Sequence, residues 1–515
     1  MKLKLKKSLV LLFTAALVVS VFGCSNAKES SESTAKSVEN SALKVGVFND
    51  FVTLNPAKSS ALIDEELYSN LFDPLLVMTP KGELKPNLIK DWAVSQDGKT
   101  YTFNIRDDVK FHDGTDFNAQ AIIDNWNWVL DEKNASPRRS DLQMIEKLSA
   151  PKPFQLIVQF TAPFSPFLAT LAGRTGMISS PAAMKKYGNS YDLHPTGTGP
   201  FKFKEWNKND HLTIVKNDDY WQKSLPKLDQ IEFKPITDPS QKKNALISGQ
   251  VDLVDSIPFQ EIPTVEKTPG IKLGTQTSFG FNTIWINNVK APFDNLNNRK
   301  AINLAINREE INKLIYFGHA VPAYSQFSTA SWANDEKVTI PFSIEKAKEE
   351  LKKAGNPDGF KFKMLSANDT QSLQLMQLVK DQLAKAGIEM EIEAVDSTTY
   401  LEKAINGDFQ ATNSFWSGMV DPDQNSFAFD VKGTFFNWGS YHNSKVEELL
   451  QGAREAQDQS ERKELYSQVA SIMNEDGAYS FLVYPPVVNA WKENIKGYEI
   501  YPDQLLRLSH VYKEN

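Results

Sequence analysis

Cysteine is almost absent from this chain of 515 residues: Cys24 is the only one. A solitary thiol excludes an internal disulfide framework. Histidine is also scarce, and the six present (His112, His194, His211, His319, His442 and His510) show no metal-ligand spacing. Loop or solvent roles are expected for them. No Gly-x-Ser-x-Gly nucleophile motif occurs. Positive charge is in deficit. Beyond the first 23 residues, which hold Lys2, Lys4, Lys6 and Lys7 and no acid, 53 basic side chains face 64 acidic ones. That balance argues against a nucleic-acid binder, which needs cations to displace phosphate counterions. Long apolar runs are missing except near the start, so nothing after residue 23 is predicted to span a membrane.

Two strings imitate functional loops and fail. Gly98-Lys99-Thr100 resembles the end of a phosphate-binding loop, but the required upstream glycine is Ala93. Asp421, Asp423 and Asn425 resemble the start of a calcium loop, yet its glycine and glutamate positions hold Ser426 and Lys432. No cofactor or metal is expected.

What is present begins with residues 1–23, a lysine-rich start followed by the apolar run Leu9 to Phe22. This is the pattern of a secretory signal. It ends in Val21-Phe22-Gly23-Cys24, which resembles a bacterial lipobox. Cleavage there would make Cys24 a lipidated N-terminus. Residues 24–41, with no aromatic side chain, then read as a flexible tether.

The body is an ordinary globular composition, 41% hydrophobic and 23% charged, long enough for two to four domains. Ala42 to Phe48 reads as a strand, and Glu65 to Leu76 as a helix closed by Asp73-Pro74. Pro80-Lys81-Gly82, Gln96 to Lys99 and His112-Asp113-Gly114 mark a run of antiparallel hairpins. Asn118 caps an amphipathic helix with Ala119, Ile122, Ile123, Trp126 and Leu130 on one face. The glycines of Thr196-Gly197-Thr198-Gly199-Pro200 suggest a strained crossover. Residues 340–395 follow as a βαβ unit, with helices stopped by Gly355 and Gly387. Such units make parallel sheets. Helices are expected at about 443–456 and 460–476, with a strand at Ser480 to Val483.

Asp408 to Phe427 carries the most functional information. Phe409 to Phe415 reads as a short strand that runs out at Trp416-Ser417-Gly418, and Asp421-Pro422-Asp423 then turns the chain. An aromatic residue at a strand exit is where open α/β sheets place a ligand crevice. The competing reading of Trp416 is a core plug.

This stretch resembles the pocket loop of the large extracytoplasmic solute-binding lipoproteins of ABC importers, the oligopeptide-, dipeptide- and nickel-binding family (bacterial family 5 type). The strings LATLAGRTGMISSPAAMKKYG from Leu168, HPTGTGPFKFKEW from His194, VKNDDYW from Val215, NALISGQVDLV from Asn244 and GFNTIWIN from Gly280 extend the likeness along the mature chain. It implies an α/β fold like the type II periplasmic binding proteins, two hinged lobes with an additional α+β domain. Domain I would be 42–72 with 196–280 and 486–515, domain II 73–195 and domain III 281–485. A monomer would close on a peptide-like solute and deliver it to permease subunits with cytoplasmic ATPases. It would work without chemistry, from the outer face of the cell membrane (the periplasm in a double-membrane bacterium). The implied ligand contacts are Trp416, Met419, Asn49, Phe51, Tyr324 and Tyr441.

Two residues tune that expectation. Peptide binders of the family carry an aspartate three residues after the pocket tryptophan, to pair with the ligand's ammonium, whereas this chain has Met419. Asp421 or Asp423 would have to replace it. Arg174 sits among small residues with no acid beside it in sequence, and is expected either to grip a ligand carboxylate bidentately or to form a surface salt bridge. The variant loop, with the RTGMISSPAA segment and the segment from Ala323-Tyr324 to Ser331-Trp332, more closely resembles the glutathione-binding branch and its unassigned relatives. Alternatives from other classes are a sensory or structural lipoprotein with the same fold, and a hydrolase.

Overall fold

The structure, a computed structural model, describes residues 41–434 and 436–514. Three large sheets organise them. A seven-stranded sheet has strand order 271–277, 486–492, 253–254, 42–47, 230–235, 211–216 and 201–207. Ala42–Val47 lies inside it, parallel to the strand Gln230–Pro235. Its Leu43, Val45 and Val47 are fully buried, as the apolar run requires of a central strand. Leu67 and Leu71 of the helix Leu62–Leu71 pack in the same core.

That helix stops at Leu71, short of the sequence expectation. Phe72 is extended, and Leu76–Met78 becomes a strand paired with Leu84–Pro86. Pro74 disfavours helical backbone in the residue before it, and the chain leaves the helix there. The hairpins expected around Gly82, Gly98 and Gly114 all form, with positive φ at each glycine. The strands 89–94, 100–105, 155–160 and 145–152 make a four-stranded antiparallel sheet covered by the helix Ala119–Leu130, whose Trp126 is fully buried.

Gly197 and Gly199 serve a purpose other than strain. Neither has positive φ; an added Cβ would lie 2.3 Å from the Leu71 carbonyl oxygen at Gly197 and 2.5 Å from its carbon at Gly199. Close backbone approach is what demands glycine here. His112, expected in a solvated loop, joins this crossing. Its Nε2 lies 3.0 Å from the Gly199 carbonyl, and burial pushes the imidazole down to about 4. Asp73 ties the same region, accepting from Tyr220 Oη and Trp221 Nε1, both at 2.9 Å.

The third sheet has order 321–322, 479–484, 281–286, 411–416, 361–367 and 389–395. The βαβ unit supplies its parallel strands 361–367 and 389–395. One face, through Ile284, Met364 and Ala411, packs on helices that include Leu296–Ala305 and Thr370–Ala384. The other, through Phe281, Trp285 and Tyr479, packs on Ser444–Glu455 and Gln459–Glu475. Two neighbouring segments join this sheet to the first one. Strand 271–277 runs on to 281–286, and strand 479–484 to 486–492, with Thr277 opposite Pro486 and Asn282 opposite Val483.

Candidate functional site

A cleft of about 420 Å³ opens where these two segments cross. Its wall on the third sheet is the end of the strand Ala411–Trp416. That strand pairs with 361–367 only through Ala411 and Thr412. On this side Asn413, Ser414 and Phe415 therefore face the cleft instead of a neighbouring strand. Ala367, the first turn of the helix Thr370–Ala384 (Gln371, Ser372), Pro485, Pro486 and Gln504 also line it. Tyr400 donates its hydroxyl to the Asn413 carbonyl at 2.5 Å.

Phe415, 45% exposed, is the large apolar side chain presented at this strand end. Trp416 projects from the other face, because successive strand residues alternate. Its ring meets Phe429 edge-on at 4.8 Å and tilts on Phe436 at 5.5 Å, and its Nε1 donates to Asn425 Oδ1 at 2.9 Å. The half-buried tryptophan thus braces the loop from behind. Asn425 also accepts from the Met419 N–H at 2.8 Å and donates to the Met419 carbonyl at 3.0 Å. The asparagine that imitated a calcium ligand is in fact the organiser of the loop. Gly418 completes it with φ +78°, where an added Cβ would lie 2.2 Å from the Phe279 carbonyl carbon.

Several expected ligand contacts are occupied within the protein. Asp421 is buried and bound bidentately by Arg462 at 2.6 and 2.9 Å, and Asp423 by Arg454 at 2.7 and 2.9 Å. Neither carboxylate is left to neutralise a ligand ammonium. Arg174 is engaged through one nitrogen: its Nη2 contacts Glu65 at 2.9 Å and the Ala61 carbonyl at 2.8 Å. It is an internal ion pair, buried instead of superficial, and the partner comes from the helix Leu62–Leu71, which local sequence could not show. Phe51 is in the core, edge-on to Phe233. Tyr441 is buried too and donates to Asp476 Oδ2 at 2.7 Å, an arrangement that pushes its hydroxyl far above the ordinary tyrosine range, chiefly through burial. Both side chains have their partners inside the protein. Tyr324 lies against Arg308, whose guanidinium carbon is 5.3 Å from the ring centre. Asn49 is exposed, next to an apolar pair, Phe48 and Val52, that is 39% and 67% exposed. Cys24 lies outside the described residues.

Residues 83–437 match the model of the bacterial extracellular solute-binding proteins, family 5 middle region. The glutathione-binding protein GsiB of Escherichia coli O6:K15:H31 is 31% identical over 471 residues, covering 89% of this chain and 92% of GsiB. The chain belongs to family 5 of the bacterial extracellular solute-binding proteins. The ABC transporter-associated periplasmic binding protein DppA from Helicobacter pylori, solved with the peptide STSA, superposes with a TM-score of 0.82 at 27% identity, over 92% of this chain and 98% of DppA. NikZ from Campylobacter jejuni, solved with Ni(L-His), shares the fold at a TM-score of 0.80 and 24% identity, over 92% and 97%. This family-5 chain is therefore a substrate-binding protein of the ABC-importer type and not an enzyme. Its fold is the type II periplasmic-binding-protein fold. Among the described residues no helix is long and apolar enough to cross a membrane.

Proposed function

We propose that this family-5 protein captures a peptide-like solute in the cleft beside Asn413 to Phe415 and hands it to a membrane permease. The open edge of that strand carries the reading. Apart from the Asn413 carbonyl, which Tyr400 occupies, the backbone groups on this edge are unpaired by a neighbouring strand and are a template for an extended peptide, and Phe415 offers an apolar surface beside them. The relatives agree in kind, since GsiB is a glutathione-binding protein and DppA was solved with a peptide. The two crossing segments would act as the hinge of a monomer, between domain I (42–72, 196–280, 486–515) and domain III (281–485), with 73–195 as domain II. Solute touching both sides would favour the closed form.

Gentle denaturation of the purified mature protein, with mass spectrometry of the released solute, tests the assignment. A peptide or peptide-like species is expected; a metal chelate without peptide would overturn it. Phe415→Ala should weaken binding of the recovered solute roughly tenfold, equivalent to about 1.4 kcal/mol, with the circular dichroism spectrum retained. Unchanged affinity would move the site elsewhere.

The lipobox-like Val21 to Cys24 supports a lipid anchor at Cys24 on the outer face of the cell membrane. Cys24→Ala should release the protein into the medium or leave the leader uncleaved. A variant that still fractionates with membrane and keeps its lipid label would remove the anchor from this account.

A further inference from the structure

Two residues of the cleft lining each carry a buried side-chain polar atom without a partner, and no charged side chain is among the described lining residues. One orphan is the hydroxyl of Tyr316, a residue only 1% exposed, whose ring packs edge-on to Phe259 at 5.2 Å. The other is Asn413 Oδ1. Buried polar atoms are nearly always satisfied, and those that are not point to a missing partner. We propose that Tyr316 and Asn413 together take up an uncharged amide of the solute, Tyr316 donating to its carbonyl and Asn413 accepting its N–H. The proposal rests on the assignment of this cleft as the solute site.

The complement of one orphaned donor and one orphaned acceptor is a group that carries both. A peptide linkage or a carboxamide does; a carboxylate does not, since Asn413 Oδ1 can only accept, and an ammonium would leave the Tyr316 proton without an acceptor. The surrounding charges point the same way. Asp421 and Asp423 are held by Arg462 and Arg454, and Arg174 by Glu65. A charged terminus placed against the cleft wall would lose water without gaining a counter-ion, which is costly. Burial raises the Tyr316 hydroxyl well above the ordinary tyrosine range, so it stays a proton donor at every physiological pH. Tyr400, the neighbouring hydroxyl in the cleft, is already bonded to the Asn413 carbonyl. The site therefore reads the linkage of a peptide and not its ends, so selectivity arises by withholding counter-charges from the ends.

Two synthetic libraries of tri- and tetrapeptides with uncharged side chains test this, one with free termini and one N-acetylated and C-amidated. The purified mature protein is incubated with each, and captured peptides are identified by mass spectrometry. Capture of the blocked library at least as efficiently as the free one is expected. Capture from the free library alone overturns the proposal while leaving the peptide assignment intact. Capture from neither overturns the peptide assignment, and the proposal with it. On a captured peptide, Tyr316→Phe should cost about tenfold in affinity while the melting temperature of the empty protein stays level or rises, because no internal hydrogen bond is removed. Affinity unchanged in Tyr316→Phe would refute the role of that hydroxyl. Asn413→Asp, which replaces the acceptor by a carboxylate, should shift capture from blocked peptides towards those with a free amine, and an unaltered preference would refute the role of Asn413.

Discussion

Arg462→Met should destabilise the protein by about 3–5 kcal/mol, the range for breaking one side of a buried ion pair. Arg462 and Asp421 are both buried, so the substitution strands a carboxylate away from water. It also removes the Nε donor to the Ala453 carbonyl at 2.9 Å and the guanidinium whose carbon lies 5.1 Å from the Trp332 ring centre. The methionine refills most of the volume, which isolates the charge as the cause. The partner experiment is the double variant with Asp421→Asn, which removes the stranded charge and should recover most of the loss. Urea denaturation of the parent, both single variants and the double variant gives the coupling. A single-variant loss below about 1 kcal/mol would show that Asp421 finds water or another cation.

The second large effect is a dependence of stability on pH that follows Asp430. This carboxyl is buried and accepts from Ser426 Oγ at 2.8 Å and Gln326 Nε2 at 3.1 Å. No cation is bonded to it among the described residues, and burial pushes it up to about 8. A folded-state value above the unfolded one means that the folded protein holds the proton longer. Its contribution to stability is therefore full below about pH 4, declines as pH rises, and is gone above about pH 8. Asp430→Asn keeps the size and the neutral state. It should raise the melting temperature by several degrees at about pH 8.5, change it little at about pH 5, and flatten the profile between. Asp73, raised by burial to about 6, slopes the parent in the same direction, so the difference between parent and variant is the quantity to read. Parallel profiles for the two proteins would mean that Asp430 ionises freely.

Local signals in the sequence were strong wherever a single residue type has one conformational purpose. Gly82, Gly98 and Gly114 marked three hairpins because the left-handed backbone there favours glycine. Asn118 marked a helix start because its side chain accepts the orphaned N–H of Ala121. The strand ending at Trp416 was legible from its composition and its exit turn. Which of its two terminal aromatics faces the cleft was not, since a shift of one residue exchanges the faces. Phe415 was missed for that reason. Tyr316 carried no signal at all: it follows a helix about 100 positions upstream and joins Asn413 only as part of the same cleft lining.

The family, the α/β layout, the lipobox-like string ending at Cys24 and the absence of the aspartate expected at Met419 were all readable along the chain, because these depend on local patterns and on residue identity. Which charges are free emerges only when the chain is folded. Arg174, Asp421 and Asp423 looked unpaired along the chain, yet each meets its counter-ion from a distant helix: Glu65, Arg462 and Arg454. Burying a charge alone is prohibitive, so folding selects the arrangement that pairs them. The cleft wall is left with neutral polar groups, a property that residue order along the chain does not carry.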